Sequence, residues 1–165
     1  MKKYKLVKEE EGTLFRIIAL RDFSNVKKGE RGGLIQSEDN LSHEGDCWVY
    51  NDAVISGNAW VYGRARVFGN AWVCGRARVF GNAVISGNAE LTGNTWATKE
   101  VITFGNAFCY KITVSNNHIK IGCKQFLKSE WKNFTDDEIT KMDGEKALKL
   151  WRLFKPLAEQ MNLFD

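Results

Sequence analysis

Trp60, Arg64 and Arg66 are followed twelve residues later by Trp72, Arg76 and Arg78, and Trp96 comes after them. An indole offers a flat apolar face on which a nucleobase can stack, and a guanidinium offers a planar fork of donors that fits a phosphate. The same groups laid on one another make a cation–π contact worth about 0.5–1 kcal/mol at an exposed site. They serve equally well as a protein interface, the plainer of the two readings. General acid–base chemistry has fewer candidates, because His43 and His118 are the only histidines. His43 has Glu44 and Asp46 close by in sequence, the composition of a base with a carboxylate to orient it. His118 follows Asn116-Asn117 at an expected turn, a poor place to hold a base still. For both, an ordinary surface or turn histidine is the simpler reading. No phosphate loop, G-x-S-x-G, H-E-x-x-H or paired-carboxylate motif is present. Cys47, Cys74, Cys109 and Cys123 lack the C-x-x-C spacing of a metal site, so reduced, partly buried thiols and no metal are expected.

The elements that hold these residues repeat with a period of six. GNAWVYGRARVF (Gly57–Phe68) is followed at once by GNAWVCGRARVF (Gly69–Phe80). In frame, Ala53, Ala59, Ala65, Ala71, Ala77, Ala83 and Ala89 occupy the first position, and Val49, Ile55, Val61, Val67, Val73, Val79, Ile85 and Leu91 the third. Alternation along a strand puts these two positions on one side, which must be the interior. Gly at position five and Asn or Arg at position six suit a tight corner. Each hexad is therefore a short strand plus a bend, and a helix is excluded by residues two apart pointing to opposite faces. Arg64 and Arg76 stand at corners where Asn is the rule, and projecting from the edges they are the better phosphate candidates.

This pattern, over roughly Gly45 to Ala107, resembles the left-handed parallel β-helix of the hexapeptide-repeat proteins. The resemblance implies three hexads per coil, so that residues eighteen apart stack. It also implies kinship with acyltransferases, most of them trimers. The lead-in Leu20–Tyr50 and the tail Tyr110–Cys123 resemble uncharacterised phage and prophage proteins that carry such repeats.

Folded into coils of three hexads, the outward positions form three columns. The first face carries Trp48, Tyr50, Arg66, Phe68, Val84, Ser86, Ile102 and Phe104; the second Val54, Ser56, Trp72, Cys74, Glu90 and Thr92; the third Trp60, Tyr62, Arg78, Phe80, Trp96 and Thr98. A twelve-residue repeat on an eighteen-residue coil places Arg above Trp, giving the stacks Trp60–Arg78–Trp96 and Trp48–Arg66. So much aromatic surface calls for a cover.

The expected fold is mainly β: a left-handed β-helix over 45–107, a β-rich N-terminal cap over 1–44, and a C-terminal hairpin and helical cap over 108–165. Strands are expected at Tyr4–Lys8 and Leu14–Leu20 around Glu10-Glu11-Gly12, and at Ile112–Val114 and His118–Ile121. The repeat degrades at Lys99-Glu100 and recovers at Gly105-Asn106. Thr135-Asp-Asp-Glu138 opens a helix ending near Gly144, and a second helix from Ala147 is broken or kinked at Pro156 before a last turn to Met161. These helices are expected to lie on the solenoid or on a neighbouring subunit. A formal net charge of +4 permits nucleic-acid binding without demanding it. The chain lacks a membrane span and a signal-peptide segment, which places it in the cytoplasm.

Three functions follow. One is a non-enzymatic binding protein of the phage or prophage type, a homotrimer that binds or sequesters an anionic nucleotide-like ligand at an intersubunit Trp/Arg cleft, or docks a host protein, as a host-defence antagonist. Its site residues are Trp60, Arg64, Arg66, Trp72, Arg76, Arg78 and Trp96. The second is an acyltransferase using acyl-coenzyme A with His43 as general base. The near-perfect repeats leave no room for the protruding loop with which many such enzymes hold their donor, which weighs against catalysis. The third is a structural or polymerising module.

Overall fold

The computed structural model describes residues 1–9, 12–104 and 110–165. Glu10 and Glu11 of the first expected turn, Gly105-Asn106 of the recovering repeat, the 107/108 boundary and Cys109 lie outside the described residues.

Three strands lead in: β1 (Tyr4–Lys8), β2 (Phe15–Ala19) and β3 (Arg31–Ile35). Nine two-residue strands follow: β4 (Trp48–Val49), β5 (Val54–Ile55), β6 (Trp60–Val61), β7 (Arg66–Val67), β8 (Trp72–Val73), β9 (Arg78–Val79), β10 (Val84–Ile85), β11 (Glu90–Leu91) and β12 (Trp96–Ala97). They pair in parallel with partners eighteen residues away: Arg66 with Trp48 and Val84, Trp72 with Val54 and Glu90, Arg78 with Trp60 and Trp96. The chain is thus a β-solenoid of about four turns with three faces. Every first-position Ala and third-position aliphatic from Val49 to Leu91 is at most 1% exposed. The corners need glycine twice over. Gly75 has φ 69°, and a Cβ there would lie 2.7 Å from the backbone nitrogen of Gly93 in the next coil.

Parallel pairing links each coil to the next through N–H and C=O groups alike: Trp60 N–H donates to Ala77 C=O at 2.9 Å, and Arg78 N–H to Thr95 C=O at 3.0 Å. Each end of the solenoid therefore leaves backbone groups that must find partners outside the coils. At the N-terminal end, the Lys3 ammonium donates to Cys47 C=O (2.8 Å) and Gly45 C=O (3.4 Å), and the Tyr4 hydroxyl to Leu41 C=O (2.6 Å). At the C-terminal end, Asn117 Oδ1 accepts from Trp96 N–H (3.2 Å) and Asn116 Oδ1 from Thr98 N–H (2.9 Å), while Gln125 Nε2 donates to Thr92 C=O (3.0 Å).

The N-terminal strands correct the reading of the first face. β1 pairs antiparallel with β2 and β2 with β3, while β3 pairs in parallel with β5. Trp48 points outward from its coil yet is fully buried, edge-on to Tyr4 (6.1 Å) and Phe23 (5.3 Å). The lead-in segment covers this ring, so the expected Trp48–Arg66 stack is replaced by aromatic packing.

Ile102 and Phe104 also leave the first face. The parallel register slips to a single Val84–Glu100 bridge, where the repeat degrades, and β13 (Ile102–Phe104) starts an antiparallel sheet with β14 (Ile112–Val114), β15 (His118–Ile121) and β16 (Lys124–Leu127). Two helices follow, α1 (Lys128–Asn133) and α2 (Asp136–Gln160). α2 opens on the Thr135/Glu138 box and is interrupted at Asp143–Gly144, where Gly144 has φ 64°. It runs through Pro156, which is exposed, so water can serve the carbonyl that loses its helical partner. The helices build a second core with their own sheet rather than lying on the solenoid, with Ile112, Ile119, Trp131, Leu150, Trp151 and Phe154 at its centre.

Candidate functional site

The third face carries an exposed row of rings. Trp60 and Tyr62 sit at outward positions of one hexad, Phe80 one coil above Tyr62, and Trp96 two coils above Trp60. Trp60 stacks on Tyr62 at 4.2 Å, Tyr62 on Phe80 at 5.0 Å with planes 3° apart, and Phe80 on Trp96 at 6.5 Å. Trp60 and Trp96 are each 39% exposed. The Arg78 guanidinium lies 5.6 Å over the Trp60 ring and donates to Asn58 C=O at 3.1 Å, which fixes it across the indole.

Arginines border this row on both long edges. Arg76 stands in the corner that enters the face before β9, and Arg64 in the corner that leaves it after β6; both are exposed. Among the described residues, the ion pairs made by arginine are those of Arg16, Arg31 and Arg152, so Arg64, Arg66, Arg76 and Arg78 keep their charge unneutralised.

The seven expected site residues do not form one cluster within a single chain. Trp60, Arg78 and Trp96 share the third face, with Arg64 and Arg76 at its edges. Arg66 lies around one corner on the first face. Trp72 lies around the other on the second face, half exposed, with Nε1 donating to Ser56 Oγ at 3.3 Å. Tyr62 and Phe80, the two middle rungs, were legible as outward aromatics but not as parts of one stack.

His43 is held as a structural group. Its Nδ1 accepts the Lys3 N–H at 3.1 Å, which leaves the ring proton on Nε2, facing Glu38 Oε1 at 3.1 Å. The ring stacks on Tyr4 at 4.2 Å. Its carboxylate partner is Glu38, not Glu44 or Asp46. The Lys2 ammonium, followed by His43, holds the Glu38 carboxyl below the usual range. Deeper in, Lys3 is fully buried with Nζ 3.2 Å from Cys47 Sγ; desolvation pushes the amine down and the thiol up. Cys47, Cys74 and Cys123 are free thiols, and the described residues contain no cluster of metal-ligating groups. No described helix is long and apolar enough to cross a membrane.

A family profile described as YdcK Beta solenoid repeat matches residues 59–75 and 73–87. A protein of Escherichia coli (strain K12), described as "Uncharacterized acetyltransferase YdcK", is 41% identical over 76 residues, 34% of this chain and 23% of that protein. The match thus spans under a quarter of the length of that curated relative. The likeness is that of a β-helix repeat protein related to the hexapeptide acyltransferases.

Proposed function

We propose that the chain is a non-enzymatic binding protein whose third face takes an anionic, nucleotide-like ligand. The observation that carries this is the Trp60–Tyr62–Phe80–Trp96 row with Arg78 laid over Trp60 and unpaired arginines along both edges. Flat rings for a base, with guanidiniums beside them for phosphate, are the two components that such recognition requires. Arg66 lies just past the Arg64 corner of the same chain, whereas Trp72 lies around the far corner and reaches the same ligand only from a second copy. The reading therefore includes a homotrimer with the cleft between subunits, and sequestration of a small molecule in the cytoplasm as the task, consistent with the phage-like flanks. Native mass spectrometry on protein purified from a bacterial lysate tests it. The expected result is a trimer carrying a nucleotide-sized mass, and Trp60→Ala and Arg78→Ala should lose that mass while remaining trimeric. Variants that fall apart into monomers would make these residues an interface and end the proposal.

Acetyl transfer is the second reading, favoured by the description of the matched relative. Its obstacle is His43, whose Nδ1 lone pair already receives a backbone N–H. Acetyl-coenzyme A hydrolysis or transfer is expected to be absent. Turnover abolished by His43→Gln, with the melting temperature unchanged, would establish the enzyme instead.

A further inference from the structure

The Gly-Arg-Ala-Arg sequence occurs twice, at 63–66 and 75–78, but its two copies have different surroundings. Around Arg76 the corner column is Asn58, Arg76 and Asn94, open to solvent, and Arg78 is already engaged with Trp60 and Asn58. Around Arg64 the column is Asp46, Arg64 and Asn82, and here a second wall faces it. Ser24, Asp46, Arg64, Arg66 and Asn82 line one cleft of about 210 Å³.

That wall is held in place. The lead-in loop turns tightly through reciprocal Phe23–Val26 backbone bonds of 3.1 and 2.8 Å. Phe23 packs on Trp48, and the Tyr50 hydroxyl, on the first face, lies 2.9 Å from Asn25 Oδ1. Ser24, between these anchors, has φ 45°, a left-handed conformation that costs a serine free energy and that the surrounding contacts impose. The cleft is thus built between the N-terminal segment and the solenoid.

Its chemistry is that of an anion site. Two guanidiniums without ion-pair partners, a serine hydroxyl and a side-chain amide converge on it. Asp46 is the one acid in the lining against two arginines, so the cleft keeps a positive balance.

We infer that the Ser24/Arg64/Arg66/Asn82 cleft is the phosphate subsite of this protein and that it takes a phosphate or diphosphate group. This deepens the nucleotide-binding reading and rests on it for the identity of the whole ligand, but the anion site stands or falls separately. Calorimetric titration with inorganic pyrophosphate, beside adenosine diphosphate, separates the two. The expected result is one saturable pyrophosphate site per chain, weaker at higher salt. Arg64→Ala and Arg66→Ala should each weaken it by about tenfold or more, and Arg66→Lys, which keeps the charge but loses the fork, by less. Ser24→Gly should weaken it while leaving the melting temperature equal or higher, a pattern that loss of folding cannot produce. Lys141→Ala, an exposed charge on α2, should change nothing. If pyrophosphate does not saturate, or Lys141→Ala weakens it as much as Arg64→Ala, the subsite is refuted. If pyrophosphate binds and adenosine diphosphate binds no tighter, the subsite holds and the nucleotide reading fails.

Discussion

Lys3 shows how a single side chain can be committed by its surroundings. It is fully buried, yet its ammonium serves two carbonyls at the open end of the first coil and sits 5.2 Å from the Phe23 ring. Burial lowers its pKa below the 10.5 of an unfolded lysine. The unfolded chain therefore binds more protons than the folded one in the window below 10.5, and stability contributed by this site rises with pH there. Cys47 and Tyr4 oppose it only at higher pH, since burial raises both and the unfolded thiol and phenol ionise first, from about pH 9 and 10. Below pH 9, chemical denaturation of the wild type should thus show a stability gain with pH that Lys3→Met lacks; equal slopes would remove the buried charge from the account. None of this was visible in MKKY, because a lysine near the start of a chain carries no burial signal. Trp48 and His43 escaped for the same reason. A repeat says which positions point outward, but not what a non-repeating segment will fold over them.

Among the elements, the short strands were legible, as were β1, β2, β14, β15 and the start of α2, but the remaining supports were not. Ala and Val at alternate positions with Gly every sixth residue define the coil almost without alternatives, and the eighteen-residue pairing follows from it. β3, β16 and α1 carry no such period, and their places come from non-local partners: β3 from Val54–Ile55, and α1 from the Trp131 indole donating to Ile119 C=O at 2.7 Å. The turn Asn116-Asn117 read as a hairpin signal, and it does join β14 to β15. Its side chains meanwhile take the places that the next coil's carbonyls would have filled. Replacing both by Ala should leave two edge N–H groups without their side-chain acceptors, at about 1–3 kcal/mol for one that water cannot reach. The double variant should melt earlier and, above a threshold concentration, scatter light as the bared sheet edges of separate copies pair. A variant that melts earlier but remains a closed oligomer would show that the rest of the sheet guards the edge.

At the scale of the molecule, two cores meet, one inside the solenoid and one between α2 and its sheet. The hexad pattern specified the first from Val49 to Leu91 but not its lead-in members Tyr4, Ile17, Phe23 and Val26; the second had only its strands at Ile112–Val114 and His118–Ile121 and its helix signals, so its sheet order and the placing of the helices had to come from packing. The candidate site divides in the same way. Its rings and arginines were legible from the outward positions, whereas the wall that makes the Arg64 corner different from the Arg76 corner belongs to the lead-in loop. The twelve-residue unit and the eighteen-residue coil have a further consequence. Only after thirty-six residues do unit and coil coincide, so a duplication of one unit would turn the whole C-terminal part through two thirds of a revolution about the rod. Lengthening that spares both ends must come in whole coils, which gives this architecture a fixed quantum of growth and makes the phase of its ends a heritable trait.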